Sequence, residues 1–294
     1  MPLFKDKNLQ HQFERDGFVV TDLLNAKEVE DLRAFYLERQ AAHLSVEDKM
    51  HSTCDTGKLE LILEVDQKLK AVILPKVDLL LESYDVLLGS YLVKEIGDGS
   101  ETGFHQDPTL VDEQQYTSGN VWVALQDTDS QNGNLRVVKG SHRMIDTLIA
   151  TPNCPVSYGS FRHRLLEFST EVPVKAGQAI VLNHKMIHGA TANHSNQERI
   201  AALIAIKSKA AKWRFLYLEP GNSNDQIEDY RLDAHSFATL IKNQRPTDAE
   251  FLGYISHDFP QLTEKEFVRF MQTGKRSVGL GTRISSAIKT LFSN

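Results

Sequence analysis

The sequence predicts a mainly β protein, an antiparallel sandwich or barrel with flanking helical segments. Between residues 88 and 218, seven short runs rich in β-branched and aromatic residues are separated by turn residues such as Gly119 and Gly177. No ten-residue helical pattern lies between consecutive runs, which excludes a doubly wound parallel sheet. The residues before and after this region carry helical spacing instead.

The predicted helix nearest the N-terminus covers residues 25–38. Its apolar side chains recur on one helical face, at Val29, Leu32, Phe35 and Tyr36. Asn25, followed three residues later by Glu28, is typical of a capping box at a helix start. A second helix is expected over 69–86, interrupted or restarted at Pro75, because proline lacks the backbone N–H and clashes one turn back.

Seven strands are expected in the central region. They cover residues 90–96, 120–127, 134–140, 171–177, 179–184, 200–207 and 213–219. After Pro220 the pattern returns to helix, with capping-box patterns at 247–250 and 263–266. The expected parts of this single domain are an N-terminal helical region over 1–87, a β core over 88–219 and a C-terminal helical extension over 220–294.

The composition is that of a globular protein and excludes several classes. Hydrophobic residues make up 41% and charged residues 24% of the 294 residues, which excludes a disordered chain. No apolar run is long enough to cross a bilayer, and residues 1–20 lack the apolar segment of a signal peptide. The net charge of −6 argues against nucleic-acid binding. Two cysteines, Cys54 and Cys154, suit a reducing compartment, so we expect a cytoplasmic protein without integral membrane association. The oligomeric state stays open.

The first motif with metal-binding chemistry is His105-Gln106-Asp107. In a β-strand, residues i and i+2 point to the same side, so the imidazole of His105 and the carboxylate of Asp107 would converge. Such a pair can offer one nitrogen and one oxygen ligand to a divalent metal. The alternative interpretation is ordinary surface polarity, since many histidines have no functional role.

A second segment offers a further histidine and a buried arginine. His188 precedes a glycine at a predicted turn, and Arg199 begins an otherwise apolar strand. Two histidines and one carboxylate on one face of a metal leave positions open, which suits non-haem iron(II). A buried arginine is costly unless an anion meets it, and its planar fork matches a carboxylate. For His184, four residues before His188, a structural role is favoured over a ligand role.

Four ordered segments within residues 10–207 extend these two motifs. They are FERDGFVVTDLLNAKEVEDLR (13–33), GFHQDP (103–108), WVALQDTDSQNGNLRVVKGSH (122–142) and HGATANHSNQER (188–199). Together they resemble the phytanoyl-CoA dioxygenase family of iron(II)- and 2-oxoglutarate-dependent oxygenases. The resemblance implies a double-stranded β-helix core, a cupin-like jelly roll. It also implies Fe(II) and 2-oxoglutarate as cofactors, with O2 as cosubstrate.

The resemblance assigns the central residues of the site. His105, Asp107 and His188 correspond to the iron ligands and therefore to the catalytic residues of the family. Arg199 corresponds to the partner of the distal carboxylate of 2-oxoglutarate. These assignments imply a dioxygenase that hydroxylates a small organic substrate and releases succinate and CO2.

Two further positions correspond to cosubstrate contacts in the family. Trp122 resembles a residue that lines the cosubstrate pocket, although a tryptophan in an alternating strand is ordinarily part of the core. Ser90 falls where the family often places another contact, with variable residue type. Family members frequently carry serine or threonine where this chain has Ala190. One auxiliary hydrogen bond to 2-oxoglutarate is therefore missing here or comes from a neighbour.

Several alternatives to hydroxylation remain open. Related halogenases replace the ligand carboxylate with a small residue, so Asp107 favours hydroxylation over halogenation. Desaturation and rearrangement use the same ligands and are not separated by sequence. A metal-dependent cupin of another kind needs no buried arginine for a dicarboxylate, which argues against that class. A non-catalytic cupin-like binding protein has no evident need for the intact set of ligands and Arg199.

The substrate is indicated only weakly. Residues 139–166 hold four basic residues against the single acid Asp146: Lys139, Arg143, Arg162 and Arg164. This segment could meet a carboxylate or phosphate on a substrate, or it could be a solvated basic loop. A fatty acyl-CoA, a small carboxylic metabolite, an amino-acid derivative and a natural-product intermediate all stay open.

The C-terminal segment is basic and amphipathic. Residues 267–294 carry five basic residues and no acid, and within 282–292 three apolar residues share a helical face. Those residues are Ile284, Ile288 and Leu291. Packing against the N-terminal helices or a second subunit is the favoured interpretation. An anionic membrane surface or an acidic carrier protein is the alternative.

Overall fold

The computed structural model describes residues 2–43, 48–152, 154–221 and 226–275. The strands are β1 (Phe18–Asp22), β2 (Met50–Ser52), β3 (Tyr84–Lys94), β4 (Thr102–His105), β5 (Ser118–Ala124), β6 (Leu135–Val137), β7 (Thr170–Val172), β8 (Gln178–Asn183), β9 (His188–Ala190), β10 (Arg199–Ser208), β11 (Arg214–Tyr217), β12 (Gln226–Arg231) and β13 (Glu250–Ser256). The helices are α1 (Lys7–Asp16), α2 (Ala26–Leu37), α3 (Gln40–His43), α4 (Leu59–Leu80), α5 (Ala234–Ala238) and α6 (Glu264–Thr273).

Two antiparallel sheets form the core. The larger has six strands in the order β1-β8-β5-β10-β3-β2, and the smaller has four in the order β4-β9-β6-β7. One apolar cluster joins their facing surfaces, because it combines Trp122, Ile180 and Ala201 from the larger sheet with Val137 and Val172 from the smaller. This is the jelly roll, so the predicted fold class is confirmed, and all seven strands expected in the central region are present.

The N-terminal helices cover the outer face of the larger sheet. Leu32 of α2 and Ile73 of α4 are buried in one cluster with Val121 and Val181 of the sheet. Because the helices take the outer face, the inner faces of the two sheets are left to enclose a pocket. The functional residues of the preceding analysis lie on those inner faces or on the loops between them.

Helix α2 begins where the sequence predicts. The Asn25 side chain accepts a hydrogen bond from the Glu28 backbone N–H at 3.0 Å, and the Glu28 side chain accepts one from the Asn25 N–H at 2.9 Å. The predicted capping box is therefore confirmed. Of the four apolar residues expected on one face, three are buried, whereas Phe35 is partly buried beneath the Arg39 guanidinium.

Replacing Asn25 with alanine should lower the free energy of unfolding by about 1 kcal/mol, because the Glu28 N–H loses the side-chain acceptor that caps the helix. Urea denaturation followed by circular dichroism measures this change. Replacing the exposed Glu30 on the same helix with alanine is the matched control and should leave the midpoint unchanged. An Asn25→Ala midpoint equal to that of the wild type would contradict a stabilising cap.

The helix predicted over residues 69–86 is longer in the structure, and it begins and ends earlier in the chain. Helix α4 runs from Leu59 to Leu80 without a restart, with Pro75 inside it. Leu69, Ile73 and Val77 are fully buried on one face, so packing outweighs the hydrogen bond that proline removes. The chain leaves the helix before Tyr84, where β3 begins.

The chain beyond Pro220 is not the helical extension that the sequence predicts. Strand β12 lies between β11 and β13 in a separate three-stranded sheet, and only α5 and α6 are helical in the described part of this region. The helix start predicted from the capping-box pattern at 247–250 is wrong, because strand β13 begins at Glu250. The helix start predicted from the pattern at 263–266 is confirmed, because α6 begins there. Buried Ile227 and Tyr230 anchor β12 through contacts that are distant in sequence, which local patterns do not reveal.

The region 1–87 also contributes strands. β1 pairs with β8 from Phe18 to Asp22, and β2 pairs with β3, so both edges of the larger sheet come from a region expected to be helical. The predicted amphipathic segment 282–292 lies outside the described residues. None of the described helices has the length and apolar character required to cross a membrane.

Candidate active site

A cross-strand pair brings the two predicted histidine ligands together. His105 ends β4, His188 begins β9, and the two residues are direct partners across the ladder, with ring centroids 4.3 Å apart. His188 therefore lies in a strand rather than in the turn that the sequence predicts. The following Gly189 is required by the close approach of the strands, since a Cβ there would lie 2.7 Å from the Thr102 carbonyl oxygen.

Asp107 joins the histidines by a different route from the one predicted. β4 ends at His105, so the alternation of side chains along a strand does not place the carboxylate. Instead, the Asp107 N–H donates to the His184 carbonyl at 3.1 Å, and the Asn120 amide donates to Asp107 Oδ2 at 3.0 Å. Asp107 Oδ1 then lies 3.8 Å from the Nε2 atoms of both histidines.

Backbone carbonyls select the nitrogen that each histidine presents. His105 Nδ1 lies 2.9 Å from the Gly103 carbonyl and His188 Nδ1 lies 3.0 Å from the Met186 carbonyl. In the neutral rings these Nδ1 atoms carry the proton and donate, so the Nε2 lone pairs face Asp107. Among the described residues, His105, Asp107 and His188 form the one group of potential metal ligands, with ligand atoms within 4.8 Å of one another.

The protonation states of the cluster suit a cation. Burial, reinforced by the charge of His188, lowers the pKa of His105 to about 4. Burial by itself would raise the pKa of Asp107, but His188, His184 and His105 together with the Asn120 hydrogen bond bring it below its usual range. At neutral pH the site therefore offers a neutral imidazole at His105 beside a carboxylate, which are the forms that bind a metal.

His184 lies outside the ligand cluster, as its expected structural role requires. Its Nδ1 is 3.0 Å from Ser118 Oγ, and its backbone carbonyl holds the N–H of Asp107. The residue is buried, and burial lowers the pKa of its imidazole. His184 thus fixes the loop that carries the carboxylate.

A pocket of 220 Å³ extends from the histidines to Arg199. Only 3% of Arg199 is exposed, and within the described part of the chain its Nε has no hydrogen-bond partner and its guanidinium forms no ion pair. Burial lowers the pKa of Arg199 to about 10, so the group stays charged at neutral pH. A buried, unpaired cation that faces a pocket is stabilised only when an anion enters that pocket.

The same end of the pocket is electropositive and has an aromatic wall. Trp122 lines the pocket, and the Arg199 guanidinium lies 5.3 Å from its ring centroid. Lys94, the register partner of Arg199 on β3, is fully buried, and burial lowers the pKa of its ammonium to about 7. The Lys94 Nζ donates to the carbonyls of Ser100 and Thr191. Lys94 does not itself line the pocket, but it places a second basic group beside Arg199.

Thr102 is a pocket residue that sequence reasoning missed. It is the direct cross-strand partner of Ala190, and both residues line the pocket. The Thr102 Oγ1 is buried and has no hydrogen-bond partner among the described residues. Position 190 lacks a hydroxyl, but Thr102 offers one from the neighbouring strand. Only the register between β4 and β9 shows that the two positions are adjacent.

Ser90 does not reach this pocket. Its Oγ accepts a hydrogen bond from the Thr53 N–H at 3.1 Å and donates to the Tyr91 carbonyl at 3.1 Å. The side chain lines an adjacent cavity instead. The structure therefore gathers the triad, Arg199 and Trp122 around one pocket and separates Ser90 from them.

Comparison with known proteins agrees with this geometry. The model of the phytanoyl-CoA dioxygenase (PhyH) family matches residues 13–201. A phytanoyl-CoA dioxygenase domain-containing protein 1 of Danio rerio is 31% identical over 125 residues, which are 39% of this chain and 42% of the relative. A phytanoyl-CoA dioxygenase of Arabidopsis thaliana is 29% identical over 132 residues, 44% of this chain and 46% of the relative. The chain thus spans less than half the length of these relatives.

Solved structures share the fold. The non-haem α-ketoglutarate-dependent carbocyclase SnoK from nogalamycin biosynthesis superposes with a TM-score of 0.54 at 21% identity, covering 74% of this chain and 88% of SnoK. The epimerase SnoN, in complex with Fe3+, α-ketoglutarate and nogalamycin RO, superposes with a TM-score of 0.53 at 18% identity, covering 84% of this chain and 98% of SnoN. At these identities the similarity establishes the jelly-roll architecture.

Proposed function

The chain belongs to the phytanoyl-CoA dioxygenase family, and on this premise we propose that it is an Fe(II)- and 2-oxoglutarate-dependent dioxygenase that hydroxylates a small organic substrate. One observation carries the proposal. The buried guanidinium of Arg199, which forms no ion pair with any described residue, lines the same 220 Å³ pocket as a cluster of two histidines and a carboxylate. A metal alone would not need the guanidinium, and an anion alone would not need the cluster.

The residues present fit both groups. His105 Nε2, His188 Nε2 and Asp107 Oδ1 would hold iron on one face, and Asn120 and the backbone carbonyls keep those three atoms directed at one point. Arg199 and Thr102 would hold the distal carboxylate of 2-oxoglutarate, since both have unsatisfied, buried donors that line the pocket. When bound, iron and 2-oxoglutarate activate O2, so that one oxygen atom enters the substrate and the other enters succinate, with release of CO2.

The protein contributes orientation and exclusion of water. The fork of Arg199 would hold the distal carboxylate, and the side chains of Trp122, Leu135 and Leu203 make the surrounding pocket wall apolar. The hydrogen bond from Asn120 holds Asp107 Oδ2 away from the metal position and leaves Oδ1 as the ligand atom. These contacts preserve geometry during turnover, while the redox chemistry belongs to the cofactors.

The test of this proposal is stoichiometric. Purified protein with ferrous iron should convert 2-oxoglutarate to succinate and CO2 in equal amounts, and a chelator should stop the reaction. With substrate present, 18O2 should place one labelled atom in the product, which separates hydroxylation from desaturation and rearrangement. An unlabelled product formed with succinate release would retain the cofactor class and exclude hydroxylation.

We expect Thr102→Val to weaken 2-oxoglutarate binding about tenfold or more, because a hydrogen bond to a charged group is worth about 1.5–3 kcal/mol. Isothermal titration of the nickel-loaded protein measures the affinity without turnover. Adding Ala190→Ser to the Thr102→Val variant should restore much of the loss, since the two positions are cross-strand partners. An unchanged dissociation constant for 2-oxoglutarate in Thr102→Val would show that the Thr102 hydroxyl does not contact it.

A further inference from the structure

A second cavity of 440 Å³ adjoins the pocket that holds Arg199. The two share four lining residues, Leu92, Asp107, Asn120 and Leu203, so they meet beside the ligand carboxylate. We propose that this second cavity is the substrate site and that it takes a compact, largely apolar molecule bearing a hydroxyl or amino group. It would not accept an acyl-CoA or another anion. This inference rests on the function proposed above.

The walls of the cavity define the apolar part of the substrate. Aliphatic and aromatic side chains from β3, β10, β11 and α5 and from the loop after β4 surround it, namely Leu88, Leu110, Leu203, Ala205, Phe215 and Phe237. A volume of 440 Å³ lies within the roughly 300–1,000 Å³ that small-molecule ligands occupy. The two aromatic residues favour a ring system over an extended chain.

The charges that line the cavity disfavour an anion. Asp55 and Asp107 are the acidic lining residues, and Lys242 is the one lysine or arginine among the described lining residues, which also include His184. The Lys242 ammonium already pairs with Asp48 at 2.6 Å. The charge of Asp107 would be offset by a bound metal, which leaves Asp55 as the uncompensated acidic group. An anionic substrate would therefore meet the Asp55 carboxylate, and among the described lining residues no unpaired lysine or arginine would balance its charge.

Asp55 is the group that would recognise a hydrogen-bond donor. It is half-buried, and its Oδ2 accepts from the Ser52 N–H at 2.6 Å. Lys242, Ile241 and Asn243 are exposed, so they mark the mouth of the cavity. Asp55 lines the same cavity as these three residues. A hydroxyl or amino group would bind there, while the apolar body lies against the inner walls.

The basic residues of segment 139–166, for which the sequence left contact with a substrate anion or solvation open, contact other groups of the protein. Lys139 pairs with Asp16 at 3.1 Å, and Arg164 forms ion pairs with Glu167 and Glu264. Arg162 donates to the Phe104 carbonyl at 2.5 Å. None of the basic residues of that loop, Arg143 included, is among the described residues that line the cavity.

Four naphthalene compounds test the inference on one skeleton: 2-naphthylmethanol, 2-naphthylmethylamine, 2-naphthoate and 2-naphthoyl-CoA. Binding to protein loaded with nickel and 2-oxoglutarate is measured by isothermal titration. We expect the alcohol and the amine to bind at least about tenfold more tightly than the carboxylate and the thioester. The Ala205→Phe variant should abolish binding of the alcohol, because Ala205 lines only this cavity of the two.

Two further variants keep the result interpretable. Ala176→Phe, at an exposed position away from both cavities, should bind the alcohol as the wild type does. Asp55→Asn keeps the acceptor for Ser52 and should narrow the preference for the amine over the carboxylate. If Ala205→Phe does not fold, the loss of selectivity in Asp55→Asn decides.

Tighter binding of 2-naphthoate or of the CoA thioester would overturn the inference. Failure of all four compounds to bind, or alcohol binding that survives Ala205→Phe, would overturn it too. Titration of 2-oxoglutarate into the same protein loaded with nickel alone separates this failure from that of the proposed function. If 2-oxoglutarate binds, only the substrate inference has failed.

Discussion

Replacing His188 with alanine is expected to abolish tight binding of ferrous iron and all iron-dependent succinate formation. His188 would supply one of the three proposed ligand atoms, and its Nε2 lies 3.8 Å from Asp107 Oδ1. Loss of residues that merely orient a ligand typically costs 10–100-fold in metal affinity, so loss of the ligand itself should exceed about 100-fold. Metal content after anaerobic dialysis, with the melting temperature as a check on folding, measures the effect.

Two histidines serve as controls for that experiment. His194→Ala changes an exposed histidine of a loop and should leave iron content unchanged. His184→Ala removes the contact with Ser118 and should lower stability while one iron per chain is retained. Iron retained by His188→Ala and lost by His184→Ala would mean that the distal ligand has been assigned to the wrong residue.

Arg199→Leu is expected to remove measurable binding of 2-oxoglutarate and to leave the ligand-free protein at least as stable as the wild type. Two charge-assisted hydrogen bonds of about 1.5–3 kcal/mol each correspond to roughly a hundredfold or more in affinity. Without 2-oxoglutarate the guanidinium is a buried cation that forms no ion pair with any described residue, so replacing it with a shorter apolar side chain removes a desolvation cost.

Melting curves with and without 2-oxoglutarate separate the two effects of Arg199→Leu. The wild type should gain stability on adding the cosubstrate, and the variant should gain none. Arg199→Lys keeps the charge but loses the planar fork, and it should bind about tenfold or more weakly than the wild type. A variant without the guanidinium that keeps its affinity would place 2-oxoglutarate elsewhere.

Local patterns in the sequence predict the elements whose side chains contact near neighbours or repeat regularly. The capping box of α2 belongs to this group, as do the seven strands expected in the central region, β3, β5, β6, β7, β8, β10 and β11. Strand β12 is different, because it is specified by pairing with β11 and β13. Pro75 shows the same limit, since the buried face of α4 overrides a local breaking signal.

The residues of the candidate site also fall into a group that local motifs predict and a group that they do not. Motif resemblance identifies His105, Asp107, His188 and Arg199, and the structure brings them around one pocket. Thr102 is not predicted, because its position opposite Ala190 depends on the register between β4 and β9, which no short motif encodes. The sequence does not predict the second cavity, because two of the elements that line it, β11 and α5, follow the region of family resemblance.

The most direct test of the metal and cosubstrate assignment is an anomalous difference map from anaerobic crystals soaked with ferrous iron and 2-oxoglutarate. We predict a single iron peak within bonding distance of His105 Nε2, Asp107 Oδ1 and His188 Nε2, with the distal carboxylate of 2-oxoglutarate on the Arg199 guanidinium. An iron peak ligated by His184, or 2-oxoglutarate bound away from Arg199, would contradict the account.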